Sequence, residues 1–278
     1  MGLNAELVGK TYPKQTYEVT AEAISNYADA TNEDNPAFHG DIPIGPPCFP
    51  IVPAGAGMGQ AMFDPDLGVN LPRMVHGEED HILHVPIKAG DVLEVATELE
   101  SVELKDTGET FTALVKLTNQ DGVLASEIRS LMFIRGTGSS RRGPAEDPPE
   151  RELTFESIQK IDDDQTFRYA EASGDRNPIH VDEDFAKNMA GLPGIIVHGM
   201  CTMAFVSKAV LDEACGSDPL LLRRIKVRFS KPVFPGQTIT TRGWVEETKD
   251  DVTIYGFETA DPEGSLVIRG GIAEVLGK

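Results

Sequence analysis

Cysteine is scarce in this chain: Cys48, Cys201 and Cys215 are the only three in 278 residues. They do not make a disulfide framework, so a reduced protein is expected. Long hydrophobic runs are lacking too, and no apolar stretch approaches the roughly 20 residues that a membrane span needs. The N-terminal MGLNAELVGKTYP has no basic-then-apolar order of a secretory signal, and the final VLGK is not a peroxisomal address. A cytoplasmic protein is the expectation. Positive charge is the third deficit, with 25 Lys and Arg against 45 Asp and Glu and a net charge of −20. A field of that sign repels nucleic acid and anionic membrane, and neither is expected as a partner.

What the chain does contain is a repeat. YADATNEDNPAF from Tyr27 lines up with YAEASGDRNPIH from Tyr169. The match continues, with PPCFPIVPAGAGM against LPGIIVHGMCTM, VPIKAGD against KPVFPGQ, and DGVLASEIRSLMFIRG against the EGSLVIRGGIAEVLG end. Between the copies, Gly136 to Glu150 has the Gly, Ser and Pro content of a linker. Two domains are expected, 1–135 and 151–278, joined by 136–150. In each copy an apolar helix precedes strand-like segments. RRIKVRF, TITTRGWVEE, VTIYGFETA and LVIRGGIAEV follow the second helix, and HILHVPI, DVLEVATELESVEL, ETFTALVKLTNQ and VLASEIRSLMFIRG the first, with a turn at Asp121-Gly122. The spacing suggests antiparallel sheets covered by helices, an α+β class.

Candidate chemistry is concentrated between Tyr169 and Val210. A short helix should stop at Gly174, in the left-handed conformation, with Asp162 to Asp164 as candidates for its cap. Pro178 biases Asn177 toward extended backbone. The segment Asp175 to His180 is therefore expected to be a turn that aims Asp175 and His180 at one spot, with Asp182 capping a further helix, DEDFAKNMA. From Met200 to Leu211 the pattern is apolar on nearly every side, as in a buried helix. Its N-terminus at Gly199 offers free amides and close backbone approach, the features of an oxyanion donor. An acid, an imidazole and such a donor suit proton chemistry beside a carbonyl or thioester.

YAEASGDRNPIH followed by PGIIVHGMCT resembles the signature of the R-specific enoyl-CoA hydratases, the MaoC-like dehydratases. That resemblance implies two tandem hot-dog domains, each an antiparallel sheet wrapped around a central helix. It implies a CoA thioester substrate, with an acyl carrier protein thioester as the other carrier, and no cofactor. It also implies that Asp175 and His180 hold a water, that the Gly199 amide binds the thioester oxygen, and that Asn177 braces the turn, with His198 beside it. Ala204 departs from the Ser that some single-domain members carry. The expected reaction is reversible hydration of a trans-2-enoyl thioester to the (3R)-3-hydroxyacyl form. A thioesterase on the same fold and a non-catalytic acyl-CoA-binding protein are the alternatives. A double hot-dog can stand alone or form a homodimer.

The first copy has Glu33, Phe38 and Pro53-Ala54 where the second has Asp175, His180 and His198-Gly199. It is expected to have lost catalysis and to help form the substrate tunnel, with His39 pointing elsewhere. Arg224, Lys226 and Arg228 share one strand face and are expected to guide CoA phosphates, against the plainer reading of a solvated face. His76, His81 and His84 stand near Glu78, Glu79 and Asp80, but their spacing fits no zinc signature and no metal site is expected. Gly55, Gly57 and Gly59 match a nucleotide loop poorly, and close helix packing explains them better. Cys201 is expected to be a buried, inert thiol.

Overall fold

The computed structural model describes residues 2–105, 107–136 and 151–277. Except for Gly136, the expected linker lies outside these residues.

Each half begins with a short edge strand, β1 at Gln15–Glu18 and β6 at Phe155–Lys160. Helix α1 (Ala21–Ala30) follows β1 and starts where the Thr20 hydroxyl accepts the Ala23 amide at 3.0 Å. Helix α3 (Gln165–Ser173) follows β6 and ends, as expected, at left-handed Gly174 with φ 79°. Its start differs from expectation. Asp164 stands at the cap but does not bond the helix amides, because its carboxylate takes the Arg168 guanidinium one turn on, at 3.1 Å.

The long apolar helices are α2 (Ile51–Met62) and α5 (Gly199–Ala214). Met203, Phe205, Val206 and Val210 of α5 are buried, each contributing about 1.5–3 kcal/mol of apolar transfer. In α2, a Cβ at Gly57 would collide with Thr97 Oγ1, so this glycine serves close helix-to-sheet packing.

Four strands follow each helix. They are β2 (Met74–Leu83), β3 (Val92–Lys105), β4 (Gly108–Thr118) and β5 (Leu124–Arg135) in the first half. In the second they are β7 (Leu222–Phe229), β8 (Thr238–Lys249), β9 (Val252–Ala260) and β10 (Leu266–Leu276). The sheet order is palindromic, β1-β3-β4-β5-β2-β7-β10-β9-β8-β6, and every pairing is antiparallel.

Here the structure corrects a detail. The two expected sheets are one, because β2 pairs with β7 from Glu78↔Arg228 to Ile82↔Arg224. Ladder hydrogen bonds at the joint leave neither inner strand with an open edge. On the other side of the local twofold, α1 packs on α3, and the matching residues Tyr27 and Tyr169 meet with ring centroids 5.7 Å apart. A single hydrophobic core runs through both halves.

Candidate active site

Helix α3 delivers the chain to Gly174, and its reversal starts the site. The Asp175 carboxylate accepts the Asn177 amide at 3.1 Å, and the Asn177 side chain accepts the Ile179 amide at 3.3 Å. Asn177 is extended, as expected before proline, but it caps a one-turn helix, α4 (Pro178–Val181). His180 thus rides on a helical turn where an open turn was expected. Asp182 accepts the Phe185 amide at 2.9 Å and caps, as expected, a helical stretch that continues through the π-turn Phe185–Met189.

His180 is 7% exposed, and its Nδ1 donates to the Ile196 carbonyl at 2.7 Å. That bond fixes the tautomer and leaves the Nε2 lone pair free. His198 is buried beneath it, the two rings stacked with centroids 3.8 Å apart. His198 Nε2 donates to the Asp175 main-chain carbonyl at 2.9 Å, tying the turn to the start of α5. Titratable atoms of Asp175, His180 and His198 lie within 4.8 Å of one another, and Asp175 itself is open to solvent.

Burial pushes the pKa of His180 down, although Ile196 and Asp175 partly offset it. Burial and the neighbouring His180 push His198 down to about 4. Both rings are therefore neutral near pH 7, and His180 can accept a proton. With His180 Nδ1 and His198 Nε2 already donating to carbonyls, the cluster is arranged for proton chemistry more than for the three or four ligands of zinc.

His198 is the N-cap residue of α5, so Gly199 supplies the first helical amide. No hydrogen bond from that amide is found among the described residues. It is half-buried beside Phe229, whose Cε1 would lie 3.3 Å from a Cβ built on Gly199.

The basic strand face meets acids of neighbouring strands. Arg224 makes paired bonds to Asp80 at 2.8 and 2.7 Å and a third to Glu274 at 2.9 Å. Lys226 lies 3.3 Å from Glu78, and Arg228 is 3.7 Å from the same carboxylate. Arg224 is thus taken up by ion pairs at the β2–β7 joint, while the Arg228 side chain, 62% exposed, stays open to solvent. Sequence patterning could not show the facing acids of another strand.

Reasoning from the sequence missed Thr166, whose hydroxyl donates to the His180 carbonyl at 2.5 Å and lies 3.5 Å from His198 Nδ1. A buried hydroxyl one turn into an ordinary helix carries no signal of its own. Lys208 was missed as well; it reaches from α5 to Glu33 and Asp34 of the first half, at 3.5 and 2.5 Å. Cys201 is as expected, fully buried with its thiol pKa driven up by desolvation. His76 and His81 both turn to Glu79, at 2.8 and 2.9 Å, while His84 pairs with Glu127.

Two helices wrapped by a shared antiparallel sheet, with an acid and a neutral imidazole at the mouth of one helix, define a hot-dog protein equipped for hydration or dehydration. Comparison with known proteins agrees. Residues 144–262 match the MaoC like domain, and residues 6–127 match the FAS1-like, dehydratase domain region. The 3-hydroxyacyl-thioester dehydratase Y of Mycobacterium tuberculosis is 32% identical over 242 residues, 82% of this chain and 79% of that protein. The peroxisomal enoyl-CoA hydratase 2 of Arabidopsis thaliana is 29% identical over 234 residues, 77% and 70% of the two chains. The crystal structure of a MaoC-like dehydratase from Phytophthora capsici superposes with a TM-score of 0.83 at 26% identity, covering 99% of each chain. The solved neighbours include double hot-dog proteins, the architecture seen here. The chain belongs to the MaoC-like dehydratase family.

Proposed function

We propose that this protein is a hydro-lyase that reversibly adds water to a trans-2-enoyl-CoA, giving the (3R)-3-hydroxyacyl-CoA. The observation that carries this reading is the convergence of Asp175 and His180 within 4.8 Å, one exposed and one neutral with a free Nε2. A water held between the carboxylate and Nε2 would lose a proton to His180 as its oxygen bonds to C3. The π electrons then move toward the thioester oxygen, where the Gly199 amide stabilises the growing charge. A proton returns to C2 on the same face, so one water is added and nothing else is consumed. Asn177 and His198 hold the turn and the imidazole in place.

Asp175→Asn and His180→Gln test the assignment: both should abolish loss of the enoyl absorbance of crotonyl-CoA while leaving the fold intact. Unchanged hydration in both would refute it. Chiral analysis of the product reports the hand, and an acyl carrier protein thioester offered beside the CoA ester identifies the carrier. Absence of released thiol separates hydration from thioester cleavage.

A single chain holds every group invoked, so activity should not depend on formation of a homodimer, which sedimentation alongside the assay checks. Residues 136–150 are proposed as the link between units 1–135 and 151–278. Cleavage there should leave two fragments that stay together through β2 and β7. Among the described residues no helix is long and apolar enough to cross a membrane. Our reading of a cytoplasmic enzyme rests on the scarcity of cysteine, three residues in 278, and cell fractionation tests it against the peroxisomal designation of the plant relative.

A further inference from the structure

The first half has no catalytic pair of its own, yet its strand β2 carries an unusual polar group. Glu79 is completely buried and grips two imidazoles, His76 Nε2 on Oε2 at 2.8 Å and His81 Nε2 on Oε1 at 2.9 Å. His81 is itself fully buried, and its Nδ1 faces the Pro47 carbonyl at 3.4 Å. Burial alone would raise the Glu79 pKa, but hydrogen bonds from both rings outweigh it and bring it to about 2. The carboxylate is therefore an anion in an apolar surround, tolerated only because both oxygens are occupied.

His76 is the one member that reaches the surface. Its side chain is 21% exposed, and its ring lies 4.8 Å from the Phe229 ring, tilted by 56°. Phe229 ends β7 and presses on Gly199, the proposed oxyanion donor. A chain of neighbours thus runs from a buried carboxylate of the first half, through His76, to the Phe229 ring, which fills the space beside Gly199 where a Cβ would stand. The contact crosses the β2–β7 joint, so neither half can make it alone.

We infer that His76, held by Glu79, is a positioning residue for the reaction in the second half: it fixes the Phe229 ring as the wall that seats the thioester against the Gly199 amide. The inference rests on the proposed hydration reaction. A ring that can rotate or withdraw leaves the thioester oxygen free to drift from its donor. Small displacements of this kind cost rate more than binding, because the amide interaction strengthens only as charge develops.

His76→Gln places an amide N–H where Nε2 of the imidazole meets Glu79 and removes the ring, so it separates the wall from the buried hydrogen bond. In the full-length protein with crotonyl-CoA, kcat should fall about tenfold or more while KM stays within about threefold. The double variant H76Q/F229A should be no slower than F229A alone, because both changes act through one contact. His84→Ala, at the far end of the same segment and paired with Glu127, should leave kcat unchanged.

An activity-independent readout keeps this distinct from the hydration proposal. In 15N-glycine-labelled protein the Gly199 resonance, lying against the Phe229 ring, should move in H76Q and stay put in H84A. A folded H76Q with wild-type kcat overturns the inference, as does a rate loss that multiplies with that of F229A, or a stationary Gly199 resonance. If the wild-type protein does not hydrate enoyl-CoA, the hydration reading fails, and the resonance alone decides whether His76 positions Phe229.

Discussion

The two halves are built to one plan and diverge at the same three places. In the second, Asp175 bonds the Asn177 amide and lies open to solvent. In the first, Glu33 bonds the Asn35 amide at 3.2 Å in the same way, but it is buried and faced by Lys208. At the position of His180, Phe38 fills the core of the first half. The link from His198 to the Asp175 carbonyl also has a counterpart. His39 Nε2 lies 3.0 Å from the Glu33 carbonyl, so the residue expected to point elsewhere has become the brace of its turn. The comparison teaches that the turn and its bracing imidazole are structural features of the fold, kept in both halves. What separates the halves at this turn is the solvent exposure of one carboxylate and the identity of one side chain.

The largest test of this contrast is chemical. Asp175→Asn or His180→Gln should cost about two to four decades in kcat, whereas Glu33→Gln, made in the equivalent turn, should stay within about threefold of wild type. Circular dichroism on each variant separates lost chemistry from lost fold.

Gly199→Pro sharpens it next. Proline suits the first position of a helix, and His198 with ψ 137° already has the backbone that precedes proline. The amide hydrogen disappears and the added ring crowds Phe229, so kcat should fall by about 10²–10³ or more with secondary structure retained.

Arg224→Met leaves Asp80 without its paired donors at the seam between the halves. Stability should fall by about 2 kcal/mol in urea unfolding, and catalysis in the remaining folded protein should persist, since no phosphate site is lost.

The mildest effects come from pH. Because the folded-state pKa of His180 is depressed, its free base persists below the ordinary imidazole range near 6.5, and the acid limb of kcat/KM should lie below that value. Glu79 is depressed as well, to about 2. Its contribution to stability is whole above the ordinary carboxylate value and is lost as pH falls from about 4.5 toward 2, because the unfolded chain takes up the proton first. Unfolding titrations in that window should show falling stability in the wild type and a weaker slope in Glu79→Gln.

Much of this was legible in the linear chain. Gly174, Asn177-Pro178 and the start of α5 at Gly199 follow from local backbone preferences, and strands such as Val252–Ala260 follow from alternation. The duplication exposed the missing imidazole of the first half, where Phe38 stands for His180. The ion pairs of Arg224, the reach of Lys208 to Glu33 and the grip of Glu79 on His76 were not legible. Each joins residues far apart in sequence, on strands or helices whose register is fixed only when the halves meet.

Sequence by itself therefore determined which half carries the Asp175–His180 pair and that a helix begins at Gly199 nearby, because turns, caps and glycine act over a few residues. Tertiary structure alone decided that the two sheets become one, that Arg224 is held by acids of neighbouring strands, and that a histidine of the first half stands beside Phe229. Those outcomes depend on burial and on charges brought together across a shared strand pair, and no local pattern encodes the partner.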